Sequence, residues 1–147
     1  MLEVSTFRLY LLRATYLLIV VGLGAMIWPD ILHSPENLSH MGGVVRSVLG
    51  AVSLLALLGI RYPLKMLPVL LFELVWKTIW VLAIGIHLWS ADRLSPGTGE
   101  TLRDCLMGIV LVSLVMPWGY VFFTYLKTPG DRWSRKTLLH LSPGVFK

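Results

Sequence analysis

This sequence has few charged residues. Only 14% of its 147 residues are charged, whereas 56% are hydrophobic and the mean hydropathy is +0.74. An ordinary soluble domain is about a quarter charged. A single domain of this size with so few charged side chains has no means of covering so apolar a surface in water. The composition therefore makes a soluble enzyme improbable and predicts an integral membrane protein.

Cysteine is almost absent, and the usual catalytic motifs are missing. Cys105 is the single cysteine, so the chain forms no internal disulfide and has no cysteine pair for zinc, an iron–sulfur cluster or thiol redox chemistry. It also has no Gly-rich phosphate loop, no Ser-x-x-Lys and no His-Glu-x-x-His sequence. The net charge of +5 does not indicate nucleic acid, because basic residues in a membrane protein chiefly set its orientation.

Long apolar runs are what the sequence does contain. There are four of them, at about 9–28, 43–60, 66–89 and 104–126. About 20 helical residues cross a bilayer core, and the runs lack the alternation of barrel strands. We therefore expect an all-α integral membrane protein, with a bundle of four transmembrane helices over residues 1–127 and a basic tail over 128–147. Pro117 removes a backbone N–H from the fourth helix and predicts a kink there.

The basic residues predict the orientation of the bundle. Eight Lys and Arg residues lie in the N-terminal arm, the loop between spans two and three, and the tail, against two on the opposite side. Because basic loops stay in the cytoplasm, both termini are predicted to be cytoplasmic. The tail can form an amphipathic helix on the inner membrane surface, where Arg132, Arg135 and Lys136 would contact anionic lipids.

The third span carries charged residues on one face. Glu73, Lys77, Trp80, Ile84 and His87 are spaced by four, three, four and three residues, the spacing of one side of an α-helix. With a rise of 1.5 Å per residue, Lys77 lies within ~1 Å of the bilayer midplane, and Glu73 lies about 7 Å to the cytoplasmic side of that midplane. A charge at such a depth costs about 2.5–3.5 kcal/mol on insertion scales, so it turns inward and has a partner.

Two arginines bring further charge into the bundle. Arg13 in the first span lies roughly 8 Å to the cytoplasmic side of the midplane, and Arg46 in the second lies about 8 Å to the outer side. With Lys77 they exceed Glu73 by two positive charges. Three explanations stay open: an arginine reaches its nearer interface, Lys77 is neutral, or an anionic or carbonyl-bearing ligand lies among them.

These residues allow three interpretations. Glu73 forms a structural ion pair with Arg13 or Lys77, or it works as a proton relay, or the residues line a ligand-binding pocket between the helices. The kink at Pro117 opens space near the depth of Lys77 and favours a pocket. The candidate ligand-binding residues are Arg13, Arg46, Glu73, Trp76, Lys77, Trp80 and His87.

Two functions follow as hypotheses. The first is an accessory subunit or a binder of a small lipophilic or anionic ligand, such as a lipid or quinone headgroup, with no resident cofactor and with a homo-oligomer or larger membrane complex as its setting. The alternative is a membrane-embedded isomerase or oxidoreductase that acts on a lipophilic substrate. Glu73 would then be the general acid or base, and Lys77 would stabilise an oxyanion.

The outer loop and the second span contain weaker patterns. His33, Glu36 and His40 are spaced for one helix face, with Ser34 as a helix cap before them, but such sets are more typical of solvated polar residues, so no metal is predicted. Gly43, Ser47, Ala51 and Gly59 form a small-residue face on the second span. We expect that face to pack against another helix, within the chain or in a homo-oligomer.

The arginine near the start of the second span lies in the sequence Gly-Gly-Val-Val-Arg-Ser-Val-Leu-Gly at residues 42–50. With this motif and its four short spans, the chain resembles the DoxX-like group of small bacterial membrane proteins over residues 9–126. The resemblance implies a four-helix bundle in the bacterial inner membrane. Some members of that group are associated with quinone-linked sulfur oxidation or with redox-protective complexes. Because this chain lacks a cysteine pair, we do not expect it to have a thiol redox role.

Overall fold

The computed structural model describes residues 4–33 and 39–129, and these residues form helices joined by short connections without any strand. The prediction of an all-α fold is confirmed for them. The elements are α1 (Thr6–His33), α2 (His40–Arg61), α3 (Leu67–Trp80), a first π-helical segment (Val81–Gly85), α4 (Ile86–Ser90), α5 (Pro96–Val115), α6 (Trp118–Val121) and a second π-helical segment (Phe122–Lys127). The predicted amphipathic helix of the tail, with Arg132, Arg135 and Lys136, lies outside the described residues.

Three helices are long and apolar enough to cross a membrane. They are α1, α2 and the continuous helix Leu67–Ser90 that α3, the first π-helical segment and α4 make together. A fourth span is present only if α5 and the helix Trp118–Lys127 are counted as one, and these two are bent by 80° at the break between them. The described chain thus has three to four helices of membrane-spanning character.

Helices α1 and α2 form a tight antiparallel hairpin. The indole Nε1 of Trp28 donates a hydrogen bond to Ser53 Oγ at 3.1 Å, and a Cβ placed on Gly59 would overlap the ring of Tyr16. The packed face of α2 therefore runs through Gly50, Ser53, Ala56 and Gly59, all of which are buried. Of the predicted small-residue face only Gly59 is buried, because close contact with the bulky Trp28 and Tyr16 selects a line of small residues rotated about the helix axis.

Helix α1 ends later than its apolar run. It continues through Pro29 to His33, and α2 begins at His40, where the Ser39 side chain accepts a hydrogen bond from Gly42 N at 3.0 Å. The predicted cap at Ser34 and the residue Glu36 lie outside the described residues. The longer helix places Asp30 on α1, and this position matters for the candidate site.

The third span contains a π-helical turn that changes its register. Val81 and Gly85 are buried, whereas Ile84 and His87 are exposed. A π turn inserts one extra residue into an α-helix and rotates everything that follows. Beyond Lys77, the buried residues Val81 and Gly85 therefore lie one position later than Trp80 and Ile84, the positions that a regular helical spacing predicts.

Helix α5 begins eight residues before the predicted fourth span. Ser95 caps it by accepting a hydrogen bond from Thr98 N, and Pro96 occupies the first turn, where its missing N–H is not needed. The helix ends at Val115, before the buried Met116 and Pro117. The kink predicted at Pro117 is confirmed, but with a bend of 80° it is a break between two helices. The predicted continuous helix over 104–126 was wrong in this respect.

The two ends of the described bundle differ in charge. One end contains the start of α1, the α2–α3 connection and the end of the second π-helical segment. Among the described residues, the charged side chains at this end are all basic: Arg8, Arg13, Arg61, Lys65 and Lys127. We call it the basic end. The opposite end, within the same described residues, carries both signs: Asp30, Arg46, Asp92, Arg93, Glu100, Arg103 and Asp104.

Candidate functional site

Three residues of α3 form a polar cluster in the middle of the third span. Lys77 Nζ donates a hydrogen bond to Glu73 Oε2 and lies 4.6 Å from the centroid of the Trp76 ring. The side chain of Glu73 is only 2% exposed and that of Lys77 is 17% exposed. Residues three and four apart share a helix face, which is why the sequence alone brings these three together. We refer to Glu73, Trp76 and Lys77 as the α3 cluster.

Helix α5 closes the cluster from one side. A Cβ placed on Gly108 would lie 2.8 Å from Lys77 Cε and 3.0 Å from Cδ, so the lysine stem rests directly against that glycine. A second glycine is used in the same way, because a Cβ on Gly85 would lie 2.8 Å from Leu102 Cδ1 of α5. The two glycines let the antiparallel helices approach closely at and beyond the depth of Lys77.

Two polar atoms of the α3 cluster have no partner among the described residues. Glu73 Oε1 and Trp76 Nε1 are both buried and accept or donate no hydrogen bond. A buried polar atom left without a partner costs about 1–3 kcal/mol, and it calls for an explanation in terms of function or an additional bound group. One of the two is an acceptor and the other is a donor, so a bound group that both donates and accepts hydrogen bonds would complement them.

Arg46 is not part of the α3 cluster. Its Nε lies 2.9 Å from Asp30 Oδ2 on α1, with the two side chains 34% and 47% exposed. The pair joins α1 to α2 at the end opposite the basic end and cancels one of the positive charges that the sequence left unbalanced. The predicted first span ended at residue 28, because a helix usually stops before a proline, so the pairing of Asp30 was missed.

Arg13 also lies apart from Glu73. It is exposed on α1, with its Cζ 5.7 Å from the centroid of the Tyr10 ring. It precedes Tyr16 by three residues, and Tyr16 donates its hydroxyl hydrogen to Pro63 O at 3.0 Å, in the connection between α2 and α3. Arg13 therefore lies close to the level of the basic end. Of the predicted partners of Glu73, the structure selects Lys77.

Trp80 and His87, the other predicted ligand-binding residues, follow Lys77 along the chain. A Cβ on Gly85 would come within 3.2 Å of Trp80 Cζ3, so the indole packs along its own helix. His87 is exposed. The structure thus brings together Glu73, Trp76 and Lys77 and leaves Arg13, Arg46 and His87 apart from them. Gly108 was missed, because a glycine on another helix carries no signal of the side chain it accommodates.

The α3 cluster is electrically balanced. Glu73 and Lys77, if both are ionised, sum to zero, and the quadrupole of the Trp76 ring provides further stabilisation of the ammonium. The nearby buried thiol of Cys105 lies on α5 one helical turn before Gly108. Such a site favours an uncharged polar group over an anion, because an added negative charge would find only a lysine that is already paired.

Comparison with known proteins leaves the family open. No family model, no curated protein and no solved structure matches this chain. The resemblance to the DoxX-like group stays a prediction from the sequence.

Proposed function

We propose that this chain is a multi-pass protein of the bacterial inner membrane, with both termini in the cytoplasm, and that it binds the uncharged polar head of a lipophilic ligand at the α3 cluster. A quinol or a lipid with a free hydroxyl group is the class that we favour, because a hydroxyl both donates and accepts hydrogen bonds. The observation that carries the proposal is the pair of buried, unpartnered atoms, Glu73 Oε1 and Trp76 Nε1.

The chemistry of the two atoms defines the ligand. A hydroxyl group can donate to the carboxylate oxygen, and a carbonyl or hydroxyl oxygen can accept from the indole N–H. The Glu73–Lys77 pair provides no net charge, so recognition rests on these hydrogen bonds and on apolar contact with the rest of the ligand. Binding would take place without a chemical step, as in an accessory subunit of a larger membrane complex.

Access to the α3 cluster is narrow. Lys77 retains 17% of its side-chain exposure, while the two unpartnered atoms are themselves covered. The flexible stem of Lys77 packs against Gly108 on one side. We therefore expect this stem to be the part of the site that moves. We propose that the ligand head enters by displacing this stem while its apolar tail stays in the lipid.

The substitution Trp76→Phe tests the proposal because it removes the indole N–H and keeps an aromatic ring. Without a ligand, loss of an unsatisfied buried donor leaves stability unchanged or raises it. With a ligand, the ligand-dependent part of the stability falls. A ligand at a hundred times its Kd adds about 2.7 kcal/mol, so the rise in melting temperature on adding a short-chain ubiquinol should shrink clearly in Trp76→Phe.

The matched control is Trp80→Phe, which loses the same volume from the same helix. It should keep the full stabilisation by the ubiquinol. Equal losses in both variants, or no ubiquinol-dependent stabilisation in the unaltered protein and no lipophilic compound in its extract by mass spectrometry, would contradict the proposal and leave the ion pair as a structural element. General acid–base catalysis by Glu73 stays a separate prediction, to be tested by product formation from a bound compound.

A further inference from the structure

A cavity at the basic end lies between the first two turns of α1 and the bend at Pro117. Its volume is about 480 Å³, and its walls include Ser5, Arg8, Leu11, Leu114 and Tyr120. This volume falls within the range of about 300–1,000 Å³ typical of small-molecule sites. The cavity exists because α5 stops at Val115 and the chain turns by 80°, which leaves the start of α1 without a helix along that side.

The walls of the cavity combine polar and apolar side chains. Arg8 contributes a cation and Ser5 and Tyr120 contribute hydroxyl groups, whereas Leu11 and Leu114 are apolar. Leu11 is three residues further along α1 than Arg8, which is about 4.5 Å deeper into the bundle. A site that has a cation beside apolar walls matches an amphiphile with an anionic head and a hydrocarbon tail.

The surroundings place this end at the level of lipid headgroups. Cations lie near aromatic rings at three separate places: Arg13 at Tyr10, Arg61 and Lys65 at Tyr62, and Lys127 at Phe123, 4.7 Å from the ring centroid. Basic and aromatic side chains gather at membrane–water interfaces, where one part of each is wet and the other is in lipid. Basic pockets between helices at this level are suited to lipid headgroups.

We propose that the cavity is a binding site for a single anionic phospholipid, whose phosphate diester is held by Arg8 and whose acyl chain lies along Leu11 and Leu114. A second cavity of about 390 Å³ adjoins it at Tyr120 and is lined by Lys127, which adds positive charge on the far side of the headgroup. This site is separate from the α3 cluster and does not depend on what binds there.

The test uses the full chain in a mild non-ionic detergent, with native mass spectrometry after addition of phosphatidylglycerol or phosphatidylcholine. The unaltered protein should retain phosphatidylglycerol in preference to phosphatidylcholine. Arg8→Gln should weaken phosphatidylglycerol retention about fivefold, the change typical of one basic residue at a membrane surface. Inorganic phosphate at the same concentration should not compete, because it lacks the apolar tail.

A second variant fills the cavity without changing its charge. A Cβ on Gly119 meets no atom within 4 Å, so Gly119→Leu places a side chain in the cavity and should reduce retention at least as much as Arg8→Gln. The matched controls are Arg61→Gln, which removes a charge at the same end outside the cavity, and Gly22→Leu, at another glycine with free space around it. Both controls should stay within twofold of the unaltered protein.

Several results would overturn this site. Equal losses in Arg8→Gln and Arg61→Gln would show diffuse attraction to the basic end. Equal retention of the two lipids would show that the site does not distinguish the net charge of their headgroups. Full retention in Gly119→Leu would show that the lipid lies elsewhere, and competition by inorganic phosphate would show a site for free anions.

Discussion

Two ion pairs in this protein have the same chemistry and opposite surroundings. Glu73–Lys77 lies in the middle of one helix with its carboxylate 2% exposed, whereas Asp30–Arg46 joins two helices near one end with its side chains 47% and 34% exposed. The first pair is removed from water, and two polar atoms of its cluster have no hydrogen-bond partner. The second is still solvated and has no such atoms.

The two pairs differ in exposure and in how fully their polar atoms are hydrogen-bonded. A half-exposed ion pair contributes little to the free energy of folding, and its charges stay partly solvated at the end of the bundle. A buried pair is no more stabilising than a well-packed apolar replacement, so stability alone does not account for its presence at the centre of a membrane span. That argument, together with the unpartnered atoms, supports a binding role for the α3 cluster.

The largest expected effect comes from breaking the buried pair. Lys77→Met leaves the Glu73 carboxylate buried without a cation and should lower the free energy of unfolding by about 3–5 kcal/mol. Reversible unfolding in mixed detergent micelles, followed by tryptophan fluorescence, measures the loss.

The control for this prediction is the double variant Glu73→Gln with Lys77→Met. It removes both charges and should recover the stability of the unaltered protein to within about 1–2 kcal/mol. A double variant as unstable as Lys77→Met alone would show that the lysine acts through its packing on Gly108 and not through its charge.

The next effect comes from the glycine that supports the lysine. Gly108→Ala forces the Lys77 stem to move, because the new Cβ would lie 2.8 Å from Cε. Since the contact is with the end of a flexible side chain, we expect a cost near the lower limit for overpacking, about 1 kcal/mol. Gly22→Ala, where nothing lies within 4 Å, should instead gain about 0.5–1 kcal/mol from the better helix propensity of alanine. The same unfolding assay compares them, and an equal gain in both variants would refute the close contact between α5 and Lys77.

The smallest effect is expected at the exposed pair. Asp30→Asn keeps the shape of the side chain and should lower stability by less than about 1 kcal/mol, with the difference fading as salt is raised. A loss as large as that of Lys77→Met, unchanged by salt, would remove the distinction between the two pairs.

Much of the fold was predictable because it depends on local sequence. Runs of apolar residues predicted the helices of the first three spans, and Pro117 predicted a bend in the fourth, although not the full break after α5. Glu73 and Lys77 were predicted as possible partners because four residues separate them on one helix. These features require no knowledge of which helices are neighbours.

The remaining features depend on contacts between helices or on helix irregularities. The pairing of Arg46 with Asp30 requires α1 to pass through Pro29, against the usual tendency of proline to end a helix. The π-helical turn at 81–85 exposes His87, and no spacing rule for a regular helix anticipates it. The start of α5 at Pro96 was hidden by Glu100, Arg103 and Asp104, which lower the hydropathy of its first turns.

The proposed ligand head would complete the α3 cluster. A cryo-electron-microscopy map of the protein, extracted with its native lipids into nanodiscs, would show whether it does. We expect density within hydrogen-bond distance of Glu73 Oε1 and Trp76 Nε1 that continues into an elongated tail between the helices. Density for an isolated water molecule, or apolar side chains closed over both atoms with no added density, would contradict it.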